Sequence, residues 1–179
     1  MESGGGLSDR ICSHAIGARP QTGYCEITGK GHKLIENMRK ILVPVDFSST
    51  SNKAFLFARE MVKCWEGELH LVHIMDTDFL SGAVHITIEP LEESVAKWRK
   101  RAEEKLRSIY QEEGGGDLAG EIHIRKGKPH EEILKLTQEL DVDMIVIGSH
   151  GRKGLERAIF GSVAERVTRM AKIPVLIIK

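Results

Sequence analysis

A glycine-rich segment with several basic residues, Gly148 to Val163, directly follows the apolar run Asp143 to Ile147. Its glycines are spaced Gly148-x-x-Gly151, then nine residues, then Gly161-Ser162. Glycine lets a backbone approach ligand oxygens closely, and a helix that starts at Ser162 would direct N–H groups and a partial positive charge to the same place. Such a segment can hold a phosphate. The alternative is a mobile loop whose glycines only turn the chain.

The two commoner phosphate-binding patterns are absent from the sequence. No strand-like run is followed by G-x-G-x-x-G, and G-x-x-x-x-G-K-[ST] occurs nowhere. A phosphate would therefore be bound by the backbone of the glycine segment, together with the hydroxyl of Ser162 and the charge of Arg152 or Lys153. We expect no phosphoryl transfer of the P-loop kind.

Asp46 is a second candidate, because it follows another apolar run, Ile41 to Val45. A carboxylate at the end of a buried strand can accept hydrogen bonds from an amine or a ribose hydroxyl. It can equally cap the following helix together with Ser48 and Ser49, whose residue types are favoured at N-caps. Both roles stay open, and one residue can have both.

Other combinations of reactive side chains give no site. The gaps between Cys12, His14, Cys25 and His32 fit no regular zinc spacing. His70 and His73 are three residues apart on a predicted strand and point to opposite faces. No Ser-His-Asp or Cys-His constellation can be chosen from spacing. We therefore expect no catalytic residue and no metal site made of protein side chains.

Composition limits the classes of partner. Lysine plus arginine and aspartate plus glutamate number 26 each, so no global field favours nucleic acid or an anionic membrane. No apolar run approaches the roughly 20 residues of a membrane span, and the N-terminus has no secretory h-region. Three cysteines, an odd number, argue against a secreted disulfide scaffold. We expect a cytoplasmic protein, with Cys64 as a thiol on a helix face.

Apolar runs and amphipathic stretches alternate from Lys40 onward. The runs are Ile41–Val45, Leu69–Met75, Glu121–Lys126, Asp143–Ile147 and Pro174–Ile178. Helical stripes lie between them, the last formed by Val163, Ala164, Val167 and Met170. Continuous rather than alternating runs indicate a parallel sheet covered by helices on both faces. Such α/β sheets bind ligands beyond the carboxyl ends of their strands, where strand order reverses. The loops after strands one, three and four are therefore the expected site.

The chain of 179 residues is long enough for one domain. Residues 1–39 are glycine-rich and lack sustained periodicity, which predicts an irregular N-terminal extension. Residues 40–179 form the predicted domain.

Residues 40–179 also resemble the universal stress protein family. The resemblance is carried by Ile41-Leu-Val-Pro-Val-Asp-Phe-Ser48, Leu71-Val-His-Ile74, Lys126-Gly-Lys-Pro129, Asp143-Met-Ile-Val-Ile-Gly-Ser-His-Gly151, Gly161-Ser-Val-Ala-Glu165 and Pro174-Val-Leu-Ile-Ile178. The spacing G-x-x-G-x9-G-[ST] is highly specific to the nucleotide-binding branch of that family, and it is intact here. The first 39 residues have no counterpart in the family pattern.

The resemblance implies an open, Rossmann-like five-stranded parallel sheet of order 3-2-1-4-5, with ATP carrying Mg²⁺ or Mn²⁺ on its phosphates. Pro44, Val45 and Asp46 would border the adenine, and Ile74 would contact the base. Gly127 would lie near the ribose. Ile147, Gly148 and Gly151 would line the ribose and phosphates, and Gly161, Ser162 and Val163 would hold phosphate oxygens. Because family members commonly pair their last strands, a homodimer through Val175 to Ile178 is also implied.

No general base is evident, so occupancy by ATP rather than turnover is expected, with at most a weak ATPase activity. The leading hypothesis is a nucleotide-dependent stress-response signalling module. The alternatives are a slow ATP-hydrolysing enzyme, or one that phosphorylates itself at Ser162 or Ser149, and a dimerisation adaptor with an empty site.

Overall fold

The computed structural model describes residues 38–76, 91–112, 116, 118–150 and 160–179, with residues 91 and 92 described by their backbone alone. Strands and helices alternate through these ranges. The strands are β1 (Lys40–Pro44), β2 (Glu68–Asp76), β3 (Ile122–Gly127), β4 (Met144–Gly148) and β5 (Val175–Ile178), and the helices are α1 (Ser49–Trp65), α2 (Leu91–Glu112), α3 (Pro129–Glu139) and α4 (Ser162–Met170).

The strands form one parallel sheet of order β3-β2-β1-β4-β5. This confirms the predicted fold class and strand order. The order reverses between β1 and β4, since the chain moves outward to β2 and β3 on one side and to β5 on the other. The extension predicted for residues 1–39 lies almost entirely outside the described residues.

Two apolar clusters cover the two faces of the sheet. Cluster one joins α1 and α2 to one face, and its buried members are Ile41, Val43, Val45, Ala54, Phe55, Ala58, Met61, Val62, Leu69, Leu71, Leu106, Tyr110 and Val146. Cluster two joins α3 and α4 to the other face, with Leu42, Val72, Ile133, Leu136, Val142, Ile145, Ile147, Ala164 and Val167 buried. Because both faces are covered, every strand of the sheet centre reads as a continuous apolar run.

Two expectations about individual side chains are wrong. Met170 was expected on the inner stripe of α4, but it is 51% exposed, because the helix ends there while Ala164 and Val167 make the contacts with the sheet. Cys64 is disulfide-bonded, so it is not a free thiol on the face of α1. The two other cysteines of the chain, Cys12 and Cys25, lie outside the described residues.

No helix in the described part of the chain is both long enough and apolar enough to cross a membrane.

Candidate functional site

The carboxyl ends of β1 and β4 lie side by side, and the helices that follow them leave toward opposite faces. α1 follows β1 and packs in cluster one, whereas α4 packs in cluster two beyond β4. Open α/β sheets bind ligands in the crevice that such a divergence of helices forms at the switch point.

The loop after β1 is folded around the carboxylate of Asp46. Asp46 Oδ1 accepts hydrogen bonds from the backbone N–H of Ser48 at 3.1 Å and from its hydroxyl at 2.6 Å. Ser48 is the N-cap of α1, and its Oγ in turn accepts from the N–H of Ser51 at 3.2 Å. The capping role considered for Asp46 is thus present, exerted through Ser48. Its contact with a ligand stays a prediction.

Gly148 brings the end of β4 against the first turn of α1. A Cβ at this position would lie 2.8 Å from Ser51 N and 2.8 Å from the carbonyl carbon of Thr50. A side chain would therefore collide with helix backbone rather than with a movable group. The glycine is required by helix–strand packing, a reason that the sequence pattern alone does not reveal.

A side-chain bond joins the same two loops. The hydroxyl of Thr50 donates to the carbonyl oxygen of His150, the second residue after β4. Ser149 lies between His150 and the strand, is 1% exposed, and has its hydroxyl 3.0 Å from His150 Nδ1. The loops after β1 and β4 therefore form one connected unit.

The start of α4 is anchored to this unit. Ser149 N–H donates to the Ile178 carbonyl at 2.7 Å, and Gly161 N–H donates to the Ser149 carbonyl at 2.7 Å. Gly161 is the N-cap of α4, and no side chain within the described ranges forms a cap hydrogen bond there. Because the N–H of Gly161 already has an acceptor, an anion at this helix start would be bound by the later N–H groups of the first turn, beginning with Ser162 and Val163.

The apolar residues expected around the base lie on two different faces. Ile147 is buried in cluster two, and Ile74 and Val163 pack against the same cluster. Strand alternation places Pro44 on that face as well. The side chain of Val45 instead lies in cluster one and is 2% exposed. Val45 can therefore reach the crevice only through its backbone.

Gly127 lies at the end of β3 and pairs with Asp76 of β2. It is separated from β1 by a whole strand, which is about 10 Å at the usual strand spacing. Its φ of +154° is one that side chains rarely adopt, and a Cβ would lie 2.8 Å from Glu132 Cγ. Gly127 therefore lies at the margin of the site formed by the loops after β1 and β4. Gly151 lies outside the described residues.

Two polar residues of this region were missed as site residues. Thr50 was not among the candidate site residues, although its hydroxyl reaches across to the loop after β4. His73 was set aside because it cannot share a site with His70, yet its Nδ1 lies 2.7 Å from the Val45 carbonyl. The sequence held a signal for this position, because alternation along β2 places His73 on the face of the sheet opposite Ile74.

The described residues contain no group of three histidine, cysteine or acidic side chains that could hold a metal ion.

The fold defines a doubly wound α/β protein whose candidate site lies at its switch point. A model described as the universal stress protein family matches residues 37–179. The chain belongs to the universal stress protein family, as its sequence motifs imply.

Two curated relatives are similar along most of their lengths. Universal stress protein MJ0577 of Methanocaldococcus jannaschii is 32% identical over 154 residues, which cover 79% of this chain and 94% of the relative. Universal stress protein YxiE of Bacillus subtilis is 30% identical over 145 residues, covering 78% and 98% respectively.

Solved structures share the architecture. The structure of MJ0577 matches with a TM-score of 0.70 and 31% identity, covering 79% of this chain and 96% of that one. The universal stress protein from Archaeoglobus fulgidus in complex with dAMP matches with a TM-score of 0.53 and 26% identity, covering 79% and 98%.

Proposed function

We propose that the chain binds ATP at the crevice between β1 and β4 and acts as a nucleotide-dependent signalling module of the stress response. The observation that carries this proposal is the junction of the Gly148 loop, the first turn of α1 and the start of α4, whose N-terminus has no side-chain cap among the described residues. An uncapped helix N-terminus offers N–H donors and a partial positive charge to phosphate. The dAMP complex of the A. fulgidus relative supports an adenine nucleotide as the ligand.

In this proposal the two ends of ATP are held by different loops. The phosphates lie at the start of α4, against the N–H groups of Ser162 and Val163 and the hydroxyl of Ser162. The nucleoside lies toward the end of β1, where Asp46 is within a hydrogen-bonded turn. Mg²⁺ or Mn²⁺ accompanies the phosphates, since the described side chains provide no site of their own.

Calorimetric titration with ATP tests the assignment. Gly161→Val places a β-branched side chain at the N-cap of α4, where it would obstruct the approach of phosphate, and we expect at least about tenfold weaker binding, or about 1.4 kcal/mol. Gly116→Val is the matched control, because a Cβ there meets nothing within 4 Å. Equal affinity of Gly161→Val and wild type would show that the phosphates bind elsewhere. Absence of binding by wild type would overturn the function and favour an adaptor with an empty site.

One contact favours slow self-phosphorylation as the second candidate function. The Ser149 hydroxyl lies 3.0 Å from His150 Nδ1, a distance at which histidine can take the hydroxyl proton. The serine oxygen would bond to the γ-phosphorus while the bond to the β–γ bridging oxygen breaks and ADP leaves. The 1% exposure of Ser149 opposes this reaction. A phosphate on Ser149 found by peptide mass mapping after incubation with ATP, and absent from Ser149→Ala, would support it.

We also propose a homodimer formed by β5. This strand is an edge of the sheet and all four of its residues are half-buried, so it has both backbone groups and apolar surface to offer a second copy. Sedimentation equilibrium should give a dimer mass for wild type and a lower mass for Ile177→Lys. A monomer at all concentrations would contradict the proposal. The cytoplasmic location stays a prediction, and the disulfide at Cys64 weighs against it, since disulfides are rare in cytosolic proteins.

A further inference from the structure

His73 lies beneath the loop that carries Asp46. It is 6% exposed, and its Nδ1 is 2.7 Å from the carbonyl oxygen of Val45. A carbonyl only accepts, so Nδ1 carries the proton and donates it. The register between β1 and β2 ends at Pro44 and Val72, and the last backbone bond runs from Val45 N–H to the Val72 carbonyl at 2.8 Å. His73 therefore fixes the first carbonyl beyond the paired strand, in the residue before Asp46.

Phe47, the residue after Asp46, has a left-handed backbone with φ 67°. A bulky residue adopts this conformation only where its surroundings enforce it. The centroid of the Phe47 ring lies 4.5 Å from that of the His73 ring. Lys105 Nζ, on α2, lies 4.6 Å from the centroid of the Phe47 ring. The side chain of Phe47 is thus held from the side of β2 and from the side of α2.

These contacts fix the residues on both sides of Asp46. His73 holds the carbonyl before Asp46 and contacts the ring after it, so one buried imidazole constrains both neighbours of the carboxylate. Asp46 in turn holds Ser48, the N-cap of α1. A change at His73 should therefore displace Asp46 without touching the start of α4, which is anchored through Ser149.

We propose that His73 is a positioning residue for recognition of the nucleoside part of the ligand, acting through Val45 and Phe47 on Asp46. The proposal rests on the proposed function, since it assigns the nucleoside to the Asp46 loop and the phosphates to α4. It has a consequence that a purely structural role does not share. Loss of the His73 contacts should weaken binding of ATP and spare binding of inorganic tripolyphosphate, which presents phosphates alone.

Two substitutions separate the donor from the ring. His73→Phe keeps an aromatic ring against Phe47 but leaves the Val45 carbonyl without its donor. His73→Asn keeps an N–H donor near the position of Nδ1 and loses the ring. We expect His73→Phe to bind ATP about tenfold more weakly, and His73→Asn to recover part of that affinity. Both should bind tripolyphosphate like wild type.

Phe47→Gly removes the ring while allowing the left-handed backbone, so it separates loop positioning from folding. We expect weaker ATP binding and unchanged tripolyphosphate binding in a folded protein, with a somewhat lower denaturation midpoint because the ring also packs against cluster one. Lys105→Met should cause a smaller loss, of about twofold, because the cation–π contact is a weak interaction. Lys100→Met on the same helix is its control, since that side chain is 80% exposed.

Calorimetric titrations of wild type and each variant with ATP and with tripolyphosphate test the role of His73. Circular dichroism checks that each variant is folded. If wild type binds neither ligand, the proposed function fails. If wild type binds ATP and His73→Phe binds it equally well, the role of His73 is wrong. An equal loss for ATP and tripolyphosphate in His73→Phe also overturns the proposal, because it would indicate general disturbance of the site.

Discussion

The two ends of the parallel sheet are both rich in polar groups, but they use them differently. Toward the amino ends of the strands, polar groups bind one another. Asp143 Oδ2 accepts from the N–H groups of Arg39 and Lys40, each at 2.8 Å. At the carboxyl ends, polar side chains join separate loops, as in the bond from the Thr50 hydroxyl to the His150 carbonyl, and the first turn of α4 has no side-chain cap among the described residues. The number of polar residues therefore does not distinguish the two ends, whereas the pattern of their contacts does.

The contrast between the two ends of the sheet also appears in two histidines of β2. His70 lies toward the amino ends of the strands, with Nε2 3.3 Å from Glu68 Oε2 and Nδ1 3.4 Å from His123 Nε2. His73 lies on the opposite face and holds the loop beside the proposed nucleotide site. Two histidines three residues apart thus serve opposite ends of the sheet. Substitutions at one end should change stability alone, and those at the other should change stability and ligand binding together.

Gly148→Val should have the largest effect. Its side chain would meet helix backbone at Thr50 and Ser51, at 2.8 to 3.0 Å from Cβ, and backbone cannot move aside cheaply. We expect a loss of about 1–3 kcal/mol in the free energy of unfolding, measured by urea denaturation, together with loss of ATP binding. Gly116→Val is again the control. A stable Gly148→Val protein with normal ATP affinity would mean that α1 and β4 are not joined as described.

Asp143→Ala should have a moderate effect confined to stability. The substitution removes the acceptor of two backbone N–H groups at the start of β1, and water can replace it only partly because Lys40 is half-buried. We expect a loss of about 1 kcal/mol in the free energy of unfolding. Asp143→Asn keeps one acceptor oxygen and should lose less. An ATP affinity that falls in Asp143→Ala, measured by calorimetry, would contradict the separation between the two ends of the sheet.

The fold was predictable because each strand and helix has its own local signal. Continuous apolar runs such as Ile41–Val45 indicate buried parallel strands, and proline is favoured in the first turn of a helix, where Pro129 lies. The strand order came from the family motifs, since periodicity says where strands are and not which strands are neighbours.

The candidate site was predictable to the level of loops. Glycine spacing identified the segments that meet, but it could not distinguish why each glycine is required. Gly148 accommodates α1, and the N–H of Gly161 is already bonded to Ser149. Nor could motif matching show that Val45 faces cluster one, because a motif records residue types and not side-chain directions. Contacts between distant segments, such as Thr50 with His150, require the folded chain.

The smallest effect is expected for His123, which lies beside His70 near the amino ends of the strands. A substitution there should change how the stability of the fold depends on pH. Burial lowers the pKa of His123, and a charge on the neighbouring His70 lowers it further. Arg125 acts in the same direction, while Glu121 and Glu139 oppose it. The unfolded chain therefore binds more protons than the folded one below about pH 6.5. The neutral form of His123 therefore contributes stability above that pH, and this contribution is lost as the pH falls through the lowered pKa of His123.

Urea midpoints of wild type and His123→Gln, measured at several values from about pH 7.5 to about pH 5.5, test this sign. Wild type should lose stability toward acid pH, and His123→Gln should lose less, because one of the groups that is protonated preferentially in the unfolded state has been removed. ATP affinity at each pH should be the same in both proteins, since the pair lies at the end of the sheet remote from the crevice. Parallel stability curves would contradict the pKa direction, whereas a pH-dependent difference in ATP affinity would show that the two ends are coupled.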